Sequence, residues 1–258
     1  MNPARDNCII LLVDAPVPES VSPGLAAAFG AERAIHIHLD LLQNAYKLVK
    51  KFPDAISILS YEKSQKHPDL TWLDADDPGF LETKGSSSDG KVAAALQLAF
   101  NTGAKKALLL NHLSPGIKPE WLRQALAAVT EKELVLGPNQ NGSVYLVGLT
   151  LNNLKLLAGS PMTSVKAMEE LSDKAKKAKL TVFPLPEACA VESEETLRKW
   201  LETRDAAPSL FMQEKSRVPA AAAQPSAPHQ PEAAKHTRRS HKHPALQPPL
   251  PGTQEQPL

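Results

Sequence analysis

The sequence has little cysteine, no long apolar run and almost no net charge. Its two cysteines, Cys8 and Cys189, are too few and too far apart for a disulfide framework or a metal-ligand cluster. No apolar run approaches the roughly 20 residues that a bilayer-spanning helix needs, and the N-terminal run is too short for a signal peptide. The formal net charge of +1 implies no general attraction to nucleic acid or membrane. We therefore expect a soluble, cytoplasmic protein without a membrane partner.

The composition divides the chain into a folded domain, residues 1–204, and a tail, residues 205–258. The tail is rich in Pro, Ala, Gln, Ser and His, and its few large apolar residues do not offset the entropy lost on ordering, so we expect disorder. Leu210-Phe211-Met212 is a candidate docking motif for a protein partner. The basic, His-rich stretch 236–243 could contact nucleic acid, anionic lipid or a metal. We favour a solvated tail and do not expect nucleic-acid binding.

Apolar runs and helical periodicity alternate along the domain. Strands are predicted at 8–13, 55–60, 105–110, 134–137, 144–149 and 180–184, and helices at 31–51, 86–101, 120–130, 163–178 and 194–202. Short links between them predict an α/β fold with a mostly parallel sheet and helices on both faces. Cys8 lies in the first strand and is interpreted as a small buried hydrophobic residue.

Several polar groups lie near predicted strand ends. The loop 14–25 has three prolines and two acids, Asp14 and Glu19, but no cation, so it is interpreted as a rigid strand-to-helix connection rather than a phosphate site. His36 and His38 are two apart on a helix and cannot jointly hold a metal, so both are interpreted as ordinary helix residues. Asp74, Asp76 and Asp77 could bind Mg²⁺ or Ca²⁺, but a solvated loop is the preferred interpretation.

A polar loop, residues 138–143, separates the two buried strands 134–137 and 144–149. A loop at the end of a buried strand in an α/β sheet is a usual place for a ligand. The alternative is a plain strand connection closed by the turn chemistry of Asn141-Gly142.

Short motifs in these loops carry a family resemblance. They are Ala15-Pro16-Val17-Pro18, Ser114-Pro115, Leu136-Gly137-Pro138, Gly142, Tyr145-Leu146-Val147-Gly148-Leu149 and, more weakly, Val191-Glu192-Ser193. In their order and spacing, residues 8–201 resemble a bacterial family of GT-A-like nucleotide-diphospho-sugar transferases. Its members are uncharacterised glycosyltransferases related to nucleotidyltransferases, and some are linked to arsenosugar biosynthesis. The resemblance implies a GT-A, Rossmann-like fold and a nucleotide-sugar or other small ligand.

The chain departs from this family at the charged positions. Where the family has a Lys-Thr-Arg that would meet phosphates, this chain continues from Glu19 into Ser22-Pro23-Gly24. The metal-binding Asp of the central loop corresponds to Leu113, the later Asp to Asn141, and an Asp-Val-Asp segment to Ala190-Val191-Glu192. The second Gly and the Tyr of the later loop correspond to Ser143 and Val144. Metal-assisted transfer needs carboxylates and cations, so these differences indicate lost chemistry on a retained fold.

Two functions are therefore predicted in competition. The first is a divergent, non-catalytic pseudoenzyme that binds a ligand or a partner, with no cofactor and no metal ligand. The alternative is an active glycosyltransferase or nucleotidyltransferase that uses Mg²⁺ or Mn²⁺ and atypical residues, for which His112, Asn141 and Glu192 are the catalytic candidates. The predicted ligand-binding residues are Pro16, Val17, Pro18, Asn111, Ser114, Pro115, Asn139, Asn141, Gly142 and Ser143.

Overall fold

The computed structural model describes residues 6–61, 70–74, 81–82 and 88–203. The chain divides into two units, Met1–Phe211 and Met212–Leu258, and every described residue belongs to the first. The predicted tail with its docking motif and basic stretch, and the acids Asp76 and Asp77, lie outside the described residues. No helix among the described residues is long and apolar enough to cross a membrane.

The described residues contain seven strands in one sheet of order β3-β2-β1-β4-β6-β5-β7. The strands are β1 Asn7–Val13, β2 Ile56–Tyr61, β3 Leu81–Glu82, β4 Lys106–Leu110, β5 Glu133–Pro138, β6 Val144–Leu149 and β7 Thr181–Pro184. All run in one direction except β6, which is antiparallel to both β4 and β5. The short link between β5 and β6 forces this reversal, because a parallel connection needs a long crossover. The predicted mostly parallel sheet is confirmed.

Helices cover both faces of this sheet, as predicted. They are α1 Pro23–Phe29, α2 Ala31–Val49, α3 Ser88–Asn101, α4 Pro119–Ala128, α5 Ala167–Lys177 and α6 Glu194–Glu202. Successive side chains of a strand point to opposite faces, so Ile9 and Leu11 of β1 pack in the core formed with α2 and α4. Cys8 and Ile10 pack in the core formed with α3 and α5, so the prediction of a buried Cys8 is confirmed.

The loop predicted over residues 14–25 contains helical structure that the sequence interpretation missed. A 3₁₀ turn spans Pro18–Ser20 and α1 begins at Pro23. The three prolines favoured a loop, but Pro23 occupies the first turn of α1, where a helix tolerates the missing N–H. Helix α1 then packs with α2 and α6 in a third apolar cluster that includes Leu25, Leu41 and Leu197. The predicted strand-to-helix connection is therefore shorter than expected, because it ends at α1 and not at residue 25.

Candidate functional site

A cleft of about 500 Å³ opens at the carboxyl ends of β1, β2 and β4. Its floor includes Asp14 directly after β1, Ser60 near the end of β2, and Asn111, His112 and Leu113 directly after β4. The start of α1, the start of α3, the segment 160–163 and Glu192 form its walls. Open α/β sheets place ligands in the crevice outside the carboxyl ends of their strands. This cleft is therefore the candidate functional site.

Two buried histidines support the cleft floor. The Nε2 of His38 lies 3.2 Å from the backbone carbonyl oxygen of Asp14, and the Nε2 of His112 lies 3.3 Å from the Nδ1 of His38. A carbonyl only accepts, so His38 donates from Nε2 and its Nδ1 accepts from His112 when both rings are neutral. The rings meet edge to face with centroids 4.5 Å apart. The pair links β4 to α2 and holds the backbone at Asp14.

Burial keeps both histidines neutral. Loss of hydration, helped by neighbouring His38, lowers the pKa of His112 to about 3. Loss of hydration also lowers the pKa of His38, against a smaller opposing effect of Asp14. A group with a pKa near 3 is a weak base at neutral pH, so the geometry gives little support to His112 as a general base. The Nδ1 of His112 has no hydrogen-bond partner among the described residues, and the nearby Leu12 carbonyl opposes part of the lowering of the His112 pKa.

The interpretation of His38 as an ordinary helix residue was therefore wrong. Its ring is 2 % exposed and pairs with a histidine 74 residues away. The sequence interpretation weighed His38 only against His36, its neighbour on the same helix. The signal that was available is the position of His38 on the buried stripe of α2, together with Ala34, Leu41, Leu42 and Ala45.

The polar loop between β5 and β6 is tied together internally. The Ser114 hydroxyl donates to the Asn139 Oδ1 at 2.8 Å, and the Asn139 Nδ2 donates to the Ser143 hydroxyl at 2.9 Å. The Ser143 hydroxyl in turn donates to the Asn141 Oδ1 at 2.7 Å. Three of these four side chains are almost fully buried, and none of the four lines the cleft. The contacts match the alternative interpretation of this loop as a strand connection.

Asn141 and Glu192, two of the catalytic candidates, are brought together. The Asn141 Nδ2 donates to the Glu192 Oε2 at 2.9 Å, and Glu192 lines the cleft. The Glu192 backbone is fixed as well, since its carbonyl accepts from the Ser22 hydroxyl at 2.7 Å. His112, the third candidate, lies on the floor of the same cleft. The cleft is thus lined by the Glu192 carboxylate and the neutral His112 imidazole, and Asn141 holds Glu192 from outside the lining.

The other predicted ligand-binding residues have structural contacts. Asn111 lines the cleft, but its Nδ2 donates to the Val144 carbonyl and its Oδ1 accepts from the Leu113 amide. Pro16, Val17, Pro18 and Pro115 do not line the cleft, and the Pro115 carbonyl accepts from Asn44. Gly142 adopts a φ of +86°, and a Cβ there would lie 2.2 Å from the Val165 carbonyl oxygen. Gly142 is therefore required by the turn; ligand binding by these residues stays a prediction.

Asp14, Ser60 and Lys91 line the cleft but were not among the predicted site residues. Asp14 was interpreted only as an acid that would repel phosphate, and Ser60 only as part of a strand. The position of each at the end of a buried strand was the available signal, since that is the edge where the ligand crevice lies. Lys91 comes from the first turns of α3, whose position over β1 and β2 is a tertiary property.

The described residues that line the cleft include two carboxylates, Asp14 and Glu192, but not the carboxylate set that the resemblance implies for a divalent metal ion. Mg²⁺ and Mn²⁺ prefer several oxygen ligands, among them carboxylates. The family position for a metal-binding Asp is the aliphatic Leu113, and the Asn141 amide is already bonded to Glu192. Among the described residues, no group of three or more His, Cys, Asp or Glu side chains could hold a metal ion.

Residues 46–164, from α2 to the segment that follows β6, match the family model described as an uncharacterized protein conserved in bacteria (DUF2064). No curated protein matches the chain. A solved structure from Desulfovibrio desulfuricans G20, provisionally assigned as a nucleotide-diphospho-sugar transferase, is 20 % identical with a TM-score of 0.68. The match covers 78 % of this chain and 89 % of that one.

Two further solved structures are similar in fold. The 4-diphosphocytidyl-2C-methyl-D-erythritol synthase of Anaerococcus prevotii DSM 20548 is 10 % identical with a TM-score of 0.50, covering 78 % of this chain and 98 % of that one. Rv0371c of Mycobacterium tuberculosis H37Rv is 14 % identical with a TM-score of 0.51, covering 77 % of this chain and all of that one. The chain has the fold of the nucleotide-diphospho-sugar transferases. The predicted resemblance to GT-A-like nucleotide-diphospho-sugar transferases is confirmed for the fold.

Proposed function

We propose that this protein is a non-catalytic member of the transferase-like fold that binds a small ligand in the cleft. The observation that carries the proposal is the set of groups around the cleft. The cleft of about 500 Å³ lies at the carboxyl ends of the strands and is lined by many polar side chains. Leu113 on its floor and Asn141, which lies outside the lining and is bonded to Glu192, stand where the resemblance implies metal-binding carboxylates.

The charge of the cleft supports the same function. Asp14 and Glu192 are its acids, and Lys91 is the one cation among the described residues that line it. A diphosphate leaving group develops negative charge that a metal ion or several cations must stabilise. One lysine facing two carboxylates supplies little of this stabilisation, whereas a ligand that is bound without reaction does not need it.

We further propose a cytoplasmic location and a protein partner that binds the tail through Leu210-Phe211-Met212. The support for these two proposals is the sequence composition, since a short apolar motif within a polar segment is a common form of docking site.

The test is calorimetric titration with UDP-, GDP-, ADP- and dTDP-sugars and with free sugars, followed by product analysis of any mixture that binds. Thr163→Trp places a large ring at an exposed position of the cleft wall, and Thr181→Trp makes the same change at an exposed position outside the cleft. We expect the wild-type protein to bind at least one compound. Thr181→Trp should bind this compound with the wild-type affinity, and Thr163→Trp should not bind it. Turnover of a nucleotide-sugar would contradict the proposal and support the active-enzyme alternative.

A further inference from the structure

The carboxylate of Asp14 is the least satisfied charged group of the cleft. Asp14 follows the last residue of β1, and its side chain is exposed to solvent within the cleft. Its backbone carbonyl accepts from His38, but its carboxylate has no hydrogen bond or ion pair with any described residue. A charged group placed at a ligand crevice without a protein partner is available to a ligand.

Asp14 is accessible from the cleft, but the surrounding protein still removes part of the hydration of its carboxylate. Loss of hydration raises the pKa of Asp14, and the nearby His38 and Lys91 offset only part of this effect. A positively charged ligand group at this position would supply the missing compensation. A phosphate group would add to the unfavourable charge.

Ser60 gives a second, independent indication of a ligand at the same floor. Its side chain lines the cleft although the residue is only 4 % exposed, and its hydroxyl makes no hydrogen bond with the described residues. In the register of β1 and β2, Ser60 pairs with Leu12, two residues before Asp14, and both Ser60 and Asp14 line the cleft. The Ser60 hydroxyl has no protein partner among the described residues and borders the cleft, so it is available to a polar group of a ligand.

The opposite acid, Glu192, is held in place rather than free to move. The Glu192 Oε2 accepts a hydrogen bond from Asn141, and the Glu192 backbone carbonyl accepts one from Ser22. Neither contact uses the second carboxylate oxygen, Oε1. Gly24 is required for this contact, because a Cβ there would lie 2.4 Å from the Glu192 carbonyl oxygen. The cleft therefore presents two carboxylates and one lysine to its contents.

We propose that Asp14 binds a protonated amine of the ligand and that Ser60 contacts a neighbouring polar group, so that the cleft selects small hydroxylated amines such as amino sugars. This inference rests on the proposed function, because it names the ligand class of the same cleft. Carboxylates form strong, charge-assisted hydrogen bonds with ammonium groups and accept from hydroxyls. Ser20 adds a further hydroxyl to the cleft lining, whereas the hydroxyls of Ser22 and Ser160 already donate to Glu192 and Glu170.

Matched pairs of sugars test the inference on the full chain. Glucosamine, galactosamine and mannosamine are titrated beside glucose, galactose and mannose at about pH 6.5, below the ordinary pKa of an amine. We expect at least one amino sugar to bind about tenfold or more tightly than its parent sugar. Asp14→Asn removes this advantage, while Asp54→Asn, the same change in an exposed loop outside the cleft, retains it.

A second variant tests the expected effect of the positive charge on amino-sugar affinity. Lys91→Gln removes the positive charge of the cleft wall, so amino-sugar affinity is expected to stay equal or rise. Equal affinity for amino and parent sugars, or an amine preference that survives Asp14→Asn, overturns the inference. If parent sugars or nucleotide-sugars bind and Thr163→Trp abolishes their binding, the proposed function stands and only the ligand class is wrong. If no compound binds, both fall.

Discussion

The paired imidazoles of His38 and His112 are the residues whose burial has the clearest measurable consequence. Both have folded-state pKa values below the ordinary histidine value, so the unfolded chain binds more protons than the folded one as pH falls below about 6.5. The free energy of unfolding therefore decreases as the pH falls, and the contribution of His112 to this decrease continues down to about pH 3. The raised pKa of Asp14 acts in the opposite direction, because the folded state then holds the extra proton.

We predict that His112→Gln reduces this acid sensitivity. One buried neutral histidine contributes a slope of about 1.4 kcal/mol in unfolding free energy for each pH unit. Glutamine keeps a side-chain N–H that can donate to His38 but does not titrate. Urea unfolding between about pH 7 and pH 4 should show a shallower decline for His112→Gln than for wild type. The control is His36→Gln, on the same helix as His38 but not in the cleft. Parallel curves for wild type and His112→Gln would show that the burial of His112 does not cause the acid sensitivity.

A second residue-scale prediction concerns Gly142. Its φ of +86° and the Val165 carbonyl oxygen, which would lie 2.2 Å from a Cβ at this position, both oppose a side chain. Gly142→Ala should lower the free energy of unfolding by about 3 kcal/mol, from backbone strain together with the displacement of Val165. Gly159→Ala is matched in having a positive φ of +70° but meets nothing within 4 Å, so it should cost about 1 kcal/mol. Equal losses in chemical denaturation would refute the role assigned to the Val165 contact.

At the scale of the elements, α6 depends on a capping box. The Ser193 hydroxyl accepts from the Thr196 amide, and the Thr196 hydroxyl accepts from the Ser193 amide. Because α6 carries Leu197 and Trp200 into the cluster shared with α1, its start also positions Glu192 at the cleft.

Ser193→Ala should therefore destabilise the protein by about 1 kcal/mol, the usual effect of losing an N-cap. Ser172→Ala is the control, since that hydroxyl only bonds the Met168 carbonyl within α5 and its loss should change stability by less than about 0.5 kcal/mol. The measurement is the midpoint of urea unfolding at constant m-value. A Ser193→Ala midpoint equal to that of Ser172→Ala would mean that the cap contributes nothing.

Local patterns in the sequence predicted most elements but not where they meet. Neighbouring residues are enough to show the apolar run of β1, the helical periodicity of α2 and the Ser193 cap of α6. The predicted bounds of these three elements therefore agree closely with the structure. Helix α1 was missed because its prolines outweighed its short apolar stripe. The His38–His112 pair and the accessible Asp14 depend on contacts between distant segments, which no local pattern contains.

At the scale of the whole molecule, the described sheet and its helices have their apolar residues in three clusters within one unit. The sequence composition of residues 205–258 offers little to these clusters. We predict that a chain ending at residue 204 unfolds with a midpoint within about 2 °C of the full chain, because little apolar burial is lost. Calorimetric scans of both chains measure this, and a clearly lower midpoint for the shorter chain would assign the tail a stabilising role.

We propose that the molecule retains the ligand cleft of a transferase-like fold without metal-assisted chemistry. The most direct measurement is calorimetric titration of the full chain with the UDP-, GDP-, ADP- and dTDP-sugars and the amino sugars, in the presence and absence of Mn²⁺. We expect Mn²⁺ to change every measured Kd by less than about twofold. A tightening of tenfold or more with a nucleotide-sugar, equal to about 1.4 kcal/mol, would contradict it and establish a working metal site.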